Sequence, residues 1–163
     1  GDCDEYAIDT AKKIIALKPD TVRIYPTIVL KNTDLAALCI DNKYKPQTLD
    51  EAVTLASELY TIFEENGIRV IRLGLHSIEN DAYVAGPWHP AFSELCENEI
   101  YRNIILSKLN EKGNYIISVA RGEISKAIGQ KRSNIDFFES LGYEIKIKED
   151  NNIYPRSVKI ERE

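Results

Sequence analysis

The chain has 163 residues, 44% of them hydrophobic and 29% charged, with a net charge of −5. That is the balance of an ordinary globular protein, long enough for one domain or two small ones with a real core. No apolar run approaches the roughly 20 residues of a membrane helix, and the acidic start GDCDEYAID lacks the basic-then-apolar pattern of a signal peptide. In chain order, Asp4–Leu17 sets Ala7, Ile8, Ala11, Ile14 and Ile15 at helical spacing, and Lys18-Pro19-Asp20 stops it. Val22–Leu30 is rich in β-branched residues and reads as a strand carrying a Tyr25-Pro26 break. Its apolar residues fall on both parities, which predicts cover on both faces, as in a parallel sheet. Thr33–Cys39 reads as a short helix and Asn42–Gln47 as a polar loop.

Thr48 and Glu51 form a capping-box pattern, a hydroxyl for an orphan amide and a carboxylate reaching back. Ala52, Leu55, Ala56, Leu59, Ile62 and Phe63 then make an apolar stripe, and Gly67 supplies a left-handed stop. Arg69–Leu75 reads as the next strand, so helix and strand alternate as in α/β folds. Ile78–Pro90 reads as a loop ending GPWHP, a rigid approach to the long helix Ala91–Glu111. Beyond Lys112-Gly113 the rhythm changes to a strand at Tyr115–Ala120, short helices at Glu123–Ile128 and Asn134–Leu141, a turn at Gly129–Arg132, and strands at Tyr143–Ile147 and Ser157–Ile160. The expected division is 1–111 and 112–163. Residues 1–111 hold 11 basic and 18 acidic residues, and residues 112–163 hold 10 basic and 8 acidic.

Cys3, Cys39 and Cys96 match no zinc or iron–sulfur spacing. An odd number of thiols without a signal peptide suggests a reducing cytoplasm. A metal site would need both histidines, His76 and His89, with a carboxylate such as Glu79 or Asp81. The spacing gives no helical i, i+4 pair, so no metal is expected. The absence of methionine and the start at Gly1 suggest a piece of a longer protein.

Four blocks in order, LKPDTVRIYPT, YKPQTLDEA, IRLGL and VAGPWHPAF, resemble bacterial proteins similar to the radical S-adenosylmethionine (SAM) part of the third Elongator subunit. The likeness runs over residues ~1–106 on a single-sequence reading. It implies the last elements of a parallel (β/α) barrel, with Gly1-Asp2 ending one turn and Asn32-Thr33-Asp34-Leu35 forming another. The family's Cys-x3-Cys-x2-Cys motif lies upstream. A [4Fe-4S] cluster and SAM are therefore expected in a full-length parent, and no cofactor and no activity in this chain alone. Residues at the C-terminal ends of barrel strands face the active site, which makes Tyr25, Arg72 and His76 candidates for the barrel mouth.

The segment ISVARGEISKAIGQKRSNIDFFESLGYEIKIKE resembles a KH module, as in the bacterial transcription factor NusA. That likeness implies an α+β unit that contacts RNA through the turn between its helices. The turn here is Gly129-Gln130-Lys131-Arg132. It has the first glycine and a basic centre, but an arginine where the pattern has its last glycine. The expected architecture is thus a partial parallel barrel with an appended KH-like module. Its expected partners are RNA, transfer RNA among the candidates, and the upstream half of the same polypeptide. A non-catalytic RNA-binding module on an α/β scaffold, or an interaction fragment without a ligand, remain alternatives. An excised half barrel would expose strand edges, so the two barrel strands should pair, be covered by helices, or dimerise.

Overall fold

The computed structural model describes residues 3–77 and 81–163. The expected turn at Gly1-Asp2 and the start of the loop expected at Ile78–Pro90 lie outside them. The fold is mixed α/β with small sheets, and the chain divides into two compact units, Gly1–Ser93 and Glu94–Glu163.

In the first unit, α1 (Asp4–Ala16) ends where Lys18 takes a positive φ of 52°. β1 (Thr21–Ile24) and β3 (Arg69–Leu73) pair in parallel, so the two expected barrel strands do find each other. The single strand expected at Val22–Leu30 is two. Pro26 has no N–H to donate and pushes Tyr25 out of regular pairing. The chain resumes as β2 (Val29–Leu30), which runs antiparallel to β4 (Tyr83–Ala85), a strand inside the segment read as loop. The described strands close no barrel.

Thr33 caps α2 (Asp34–Ile40) by accepting the Ala36 N–H. The capping box of α3 (Leu49–Glu65) is fully formed. The Glu51 N–H donates to Thr48 Oγ1 (3.2 Å) and the Thr48 N–H to Glu51 Oε2 (2.7 Å). Past Asn66, Gly67 at φ 72° closes that helix. Ala52, Ala56, Tyr60 and Phe63 bury one stripe of α3, which packs on β1 and β3. Ile24 turns toward this core and Arg23 away from it.

α4 (Phe92–Leu106) begins behind His89, whose Nδ1 accepts the Ala91 N–H (3.1 Å). It stops short of the expected Glu111 because Leu109 turns into a core. Sequence reading grouped this helix with the first segment. Here Tyr101, Ile105 and Leu109 belong instead to the core of the second unit, with Tyr115, Ile117, Val119, Ala127, Phe138 and Val158.

That core lies under a three-stranded sheet ordered β6–β5–β7. β5 (Gly113–Val119) is central, parallel to β6 (Tyr143–Glu149) with an unbroken register, and antiparallel to β7 (Val158–Arg162). Between β5 and β6 stand α5 (Ile124–Ile128), a 3-10 turn at Gln130–Arg132 and α6 (Ser133–Ser140). The crossover thus needs two short helices and one tight turn. Among the described residues, no helix is long and apolar enough to cross a membrane.

Candidate functional site

The turn at Gly129–Arg132 holds three residues at positive φ. Gly129 sits at φ 80°, ψ 155°, a region open essentially to glycine alone. A Cβ there would also meet Ser133 Oγ at 2.4 Å and Asn134 N at 2.9 Å. Lys131 and Arg132 follow at φ 53° and 68°, where a side chain costs about 1–2 kcal/mol per residue. Two consecutive non-glycine residues in that region need outside support.

Two buried asparagines supply it. Asn134, fully buried, donates from Nδ2 to Asn98 O (2.8 Å) and Ala127 O (3.1 Å) and accepts from Arg102 Nε (3.0 Å). Asn98, with its amide set by its neighbours, donates to Glu94 O and Lys126 O and accepts the Gln130 N–H at 2.9 Å. The turn is thereby tied to α4, α5 and α6 by amides that have no other partners to satisfy them. Sequence reading missed both residues. The available signal was an Asn at the head of the apolar pattern of α6.

Beside the turn lies a groove of about 620 Å³ lined by Gly122, Ile124, Ile128, Lys131, Glu94 and Glu149, among others. The Gly122 N–H donates to Glu149 Oε1 (2.8 Å). Arg132 is not a free cation, since it lies 3.8 Å from Asp136 Oδ1 and 3.5 Å from Glu139 Oε1. Lys131 and Arg121, by contrast, have no hydrogen bond or ion pair among the described residues. Lys131 is on the groove and Arg121 is next to its Gly122. The unit Glu94–Glu163 holds 12 basic and 12 acidic residues, so its net charge is zero. The basic excess read from residue 112 onward disappears once Glu94, Glu97, Glu99 and Glu111 are counted with the unit they fold into.

Behind α5, Glu123 accepts from Tyr101 Oη, and its Oε1 lies 2.6 Å from Lys126 Nζ. The Arg156 guanidinium grips Glu97 with two bonds (2.6 and 3.2 Å). Burial alone would raise the Glu123 carboxyl, but the bonds from Lys126 and Tyr101 outweigh it and hold the group below its ordinary range. Burial, then the bond to Glu123, pushes the Tyr101 phenol well above its ordinary value.

In the first unit, Arg72 of β3 and His76 meet, with Arg72 Nη2 at 2.8 Å from His76 Nδ1. Arginine has no acceptor, so Nδ1 must accept, and the imidazole is the tautomer protonated at Nε2. Arg72 Nε is buried without a hydrogen-bond partner among the described residues, an arrangement that costs about 1–3 kcal/mol. Arg23 of β1 is the register partner of Arg72 and has no ion pair among the described residues. Sequence reading passed over Arg23, although the period of two along the strand sets it on one face with Tyr25. Tyr25 lies just past β1, 44% exposed, and makes no hydrogen bond to Arg72 or His76.

Compared with known families, residues 19–102 match the Radical_SAM C-terminal domain. The chain belongs to this family. The match takes in Tyr25, Arg72 and His76 and ends before the Gly129–Arg132 turn. A comparison with curated proteins finds no match. Radical SAM membership implies a [4Fe-4S] cluster and SAM in the full-length proteins. The residues described here do not fit the cluster. Cys3 is exposed, Cys39 half-buried and Cys96 buried, and no three His, Cys, Asp or Glu side chains among the described residues gather as a metal site requires. Of the weighed metal set, Glu79 lies outside the described residues. His89 is occupied as the acceptor ahead of α4.

Proposed function

We propose that this chain is the C-terminal part of a longer radical SAM protein, similar to the radical SAM part of the third Elongator subunit. Its first unit supplies late barrel elements, and its second unit is a KH-like module that holds RNA, transfer RNA first among the candidates. The cluster and SAM belong to the upstream half, the chain's main partner, and three cysteines without a disulfide among the described residues suit a reducing cytoplasm. The observation that carries the RNA reading is the braced turn. A bare glycine, an unpaired Lys131 and the amides that open α6 stand beside a groove, the combination a nucleic-acid backbone needs.

The test is titration of the chain with transfer RNA at about 50 and 200 mM salt. Lys131→Glu with Arg132→Glu should weaken binding and flatten the salt slope by about one to two phosphates' worth. Most of the loss should come from Lys131, and Arg121→Glu should add to it. No binding by the unaltered chain, or binding indifferent to these substitutions, overturns the reading.

The isolated chain should release no 5′-deoxyadenosine from SAM after treatment with iron and sulfide, because its thiols do not converge. A second reading, a non-catalytic RNA-binding module on an α/β scaffold, is favoured by the position of the turn outside the matched residues. A Cys-x3-Cys-x2-Cys motif upstream in the same polypeptide separates the two.

A further inference from the structure

The β1–β3 sheet carries a charge arrangement that packing does not explain. Arg23 and Arg72 are register partners in a parallel pair, just past an irregularity between Val22 and Arg23 that inserts Ile71 on β3 and brings the two arginines side by side. Like charges placed opposite each other on a sheet repel. The surrounding unit has carboxylates to spare, 14 acidic against 9 basic residues. None of those described comes within ion-pairing distance of either arginine. Among the described residues, the one side chain that bonds to Arg72 is His76, whose ring accepts from Nη2 and is left with Nε2–H as a further donor. Arg72 Nε–H is buried and has no acceptor among the described residues. Three neighbouring side chains thus carry donors, and no carboxylate among the described residues receives them.

We propose that Arg23, Arg72 and His76 form an anion subsite beside the β1–β3 pair, taking a carboxylate or phosphate group of a small ligand. An oxyanion oxygen accepts from Arg72 Nε–H and satisfies the orphaned donor, in the charge-assisted geometry that suits arginine to both anions. Arg23 adds charge from the neighbouring strand, and His76 fixes the guanidinium plane through Nη2 while offering its own Nε2–H. The subsite stands on residues of the first unit and does not depend on the RNA reading of the second.

The test uses side-chain NMR of the isotope-labelled chain, titrated with inorganic phosphate and, separately, with acetate. Saturable shifts of Arg72 Nε–H and of the His76 ring are expected with at least one anion. Tighter phosphate binding identifies a phosphoryl ligand, and acetate binding as tight or tighter a carboxylate. Followed on the His76 ring, Arg72→Gln should weaken binding about ten-fold, the loss of one charge-assisted bond. Arg23→Gln, an exposed change with no folding cost, should weaken it about three-fold. Arg69→Gln, an unpaired cation at the other end of β3, is the control and should change nothing. No shift with either anion overturns the proposal. So do shifts that survive Arg72→Gln and Arg23→Gln, or an Arg69→Gln effect as large as that of Arg23→Gln.

Discussion

Gly129 and Arg132 sit three residues apart in one turn, and both have positive φ, yet they tolerate change very differently. At Gly129 the backbone and the space agree. The ψ of 155° excludes other residues, and a Cβ would press on Asn134 N and Ser133 Oγ. Gly129→Ala should therefore destabilise the second unit by about 2–4 kcal/mol, strain and collision together. Arg132 at φ 68° and ψ 18° is in the ordinary left-handed region, which glycine enters more easily than arginine. Arg132→Gly should leave stability within about 1 kcal/mol of the parent, because relief of strain offsets the lost ion pairs on an exposed face. Urea unfolding of the two variants checks both. An Arg132→Gly loss as large as that of Gly129→Ala would show that the ion pairs to Asp136 and Glu139, rather than Asn98 and Asn134, hold the turn.

Elements with a local cause were legible in the sequence. Thr48 and Glu51 announce α3 because both halves of a capping box lie within one turn, and the Thr48 N–H holds the Glu51 carboxyl below its ordinary range. α1, α2, β3, α5, α6, β6 and the Gly129–Arg132 turn could likewise be read from spacing and punctuation. What could not be read had non-local causes. β4 is three residues long and exists through its pairing with β2, a partner more than fifty positions away. The allegiance of α4 is set by which core takes Tyr101 and Ile105, and periodicity says nothing of that. The candidate site divides the same way: Lys131 stands in the motif, while the buried Nε of Arg72, without a partner among the described residues, depends on how the strands fold together. His89 was weighed with His76 for a metal and then read as part of a rigid approach to α4, and its ring proves to replace the hydroxyl or carboxylate of a usual cap. His89→Ala should cost about 1 kcal/mol, and His89→Asp should restore most of it, since either side chain can accept the Ala91 N–H. Thermal unfolding followed by Trp88, the single tryptophan of the chain, reads this directly. Equal losses in both variants would assign the effect to packing of the ring instead.

At the scale of the whole chain, the two units differ in how they meet acid. The first unit has no buried, ion-paired carboxylate comparable to Glu123, which is 8% exposed and bonded to Tyr101 and Lys126 among the described residues. The Glu123 carboxyl titrates below its unfolded value, so between the two values the unfolded chain binds more protons than the folded one. The stabilisation is therefore complete above the ordinary glutamate range, near pH 4.3, and is lost as pH falls through the depressed folded value. Tyr101 has the opposite sign. Its phenol is raised by burial and by Glu123, so its contribution is complete below about pH 10 and fades above it. The second unit should accordingly weaken at both ends of the pH scale, with Glu123 setting the acid side. Glu123→Gln should flatten the acid limb. At neutral pH it should cost about 1–3 kcal/mol, because Lys126 keeps its charge and loses its closest partner. Amide exchange of β5, at the centre of the second unit, against Trp88 emission in the first resolves the two units across about pH 3 to 7. β5 should lose protection in acid before Trp88 responds, and Glu123→Gln should remove the pH dependence of β5 without moving that of Trp88. A β5 acid limb that survives the substitution would place the proton uptake on another carboxylate, with Glu97 under Arg156 the next to replace.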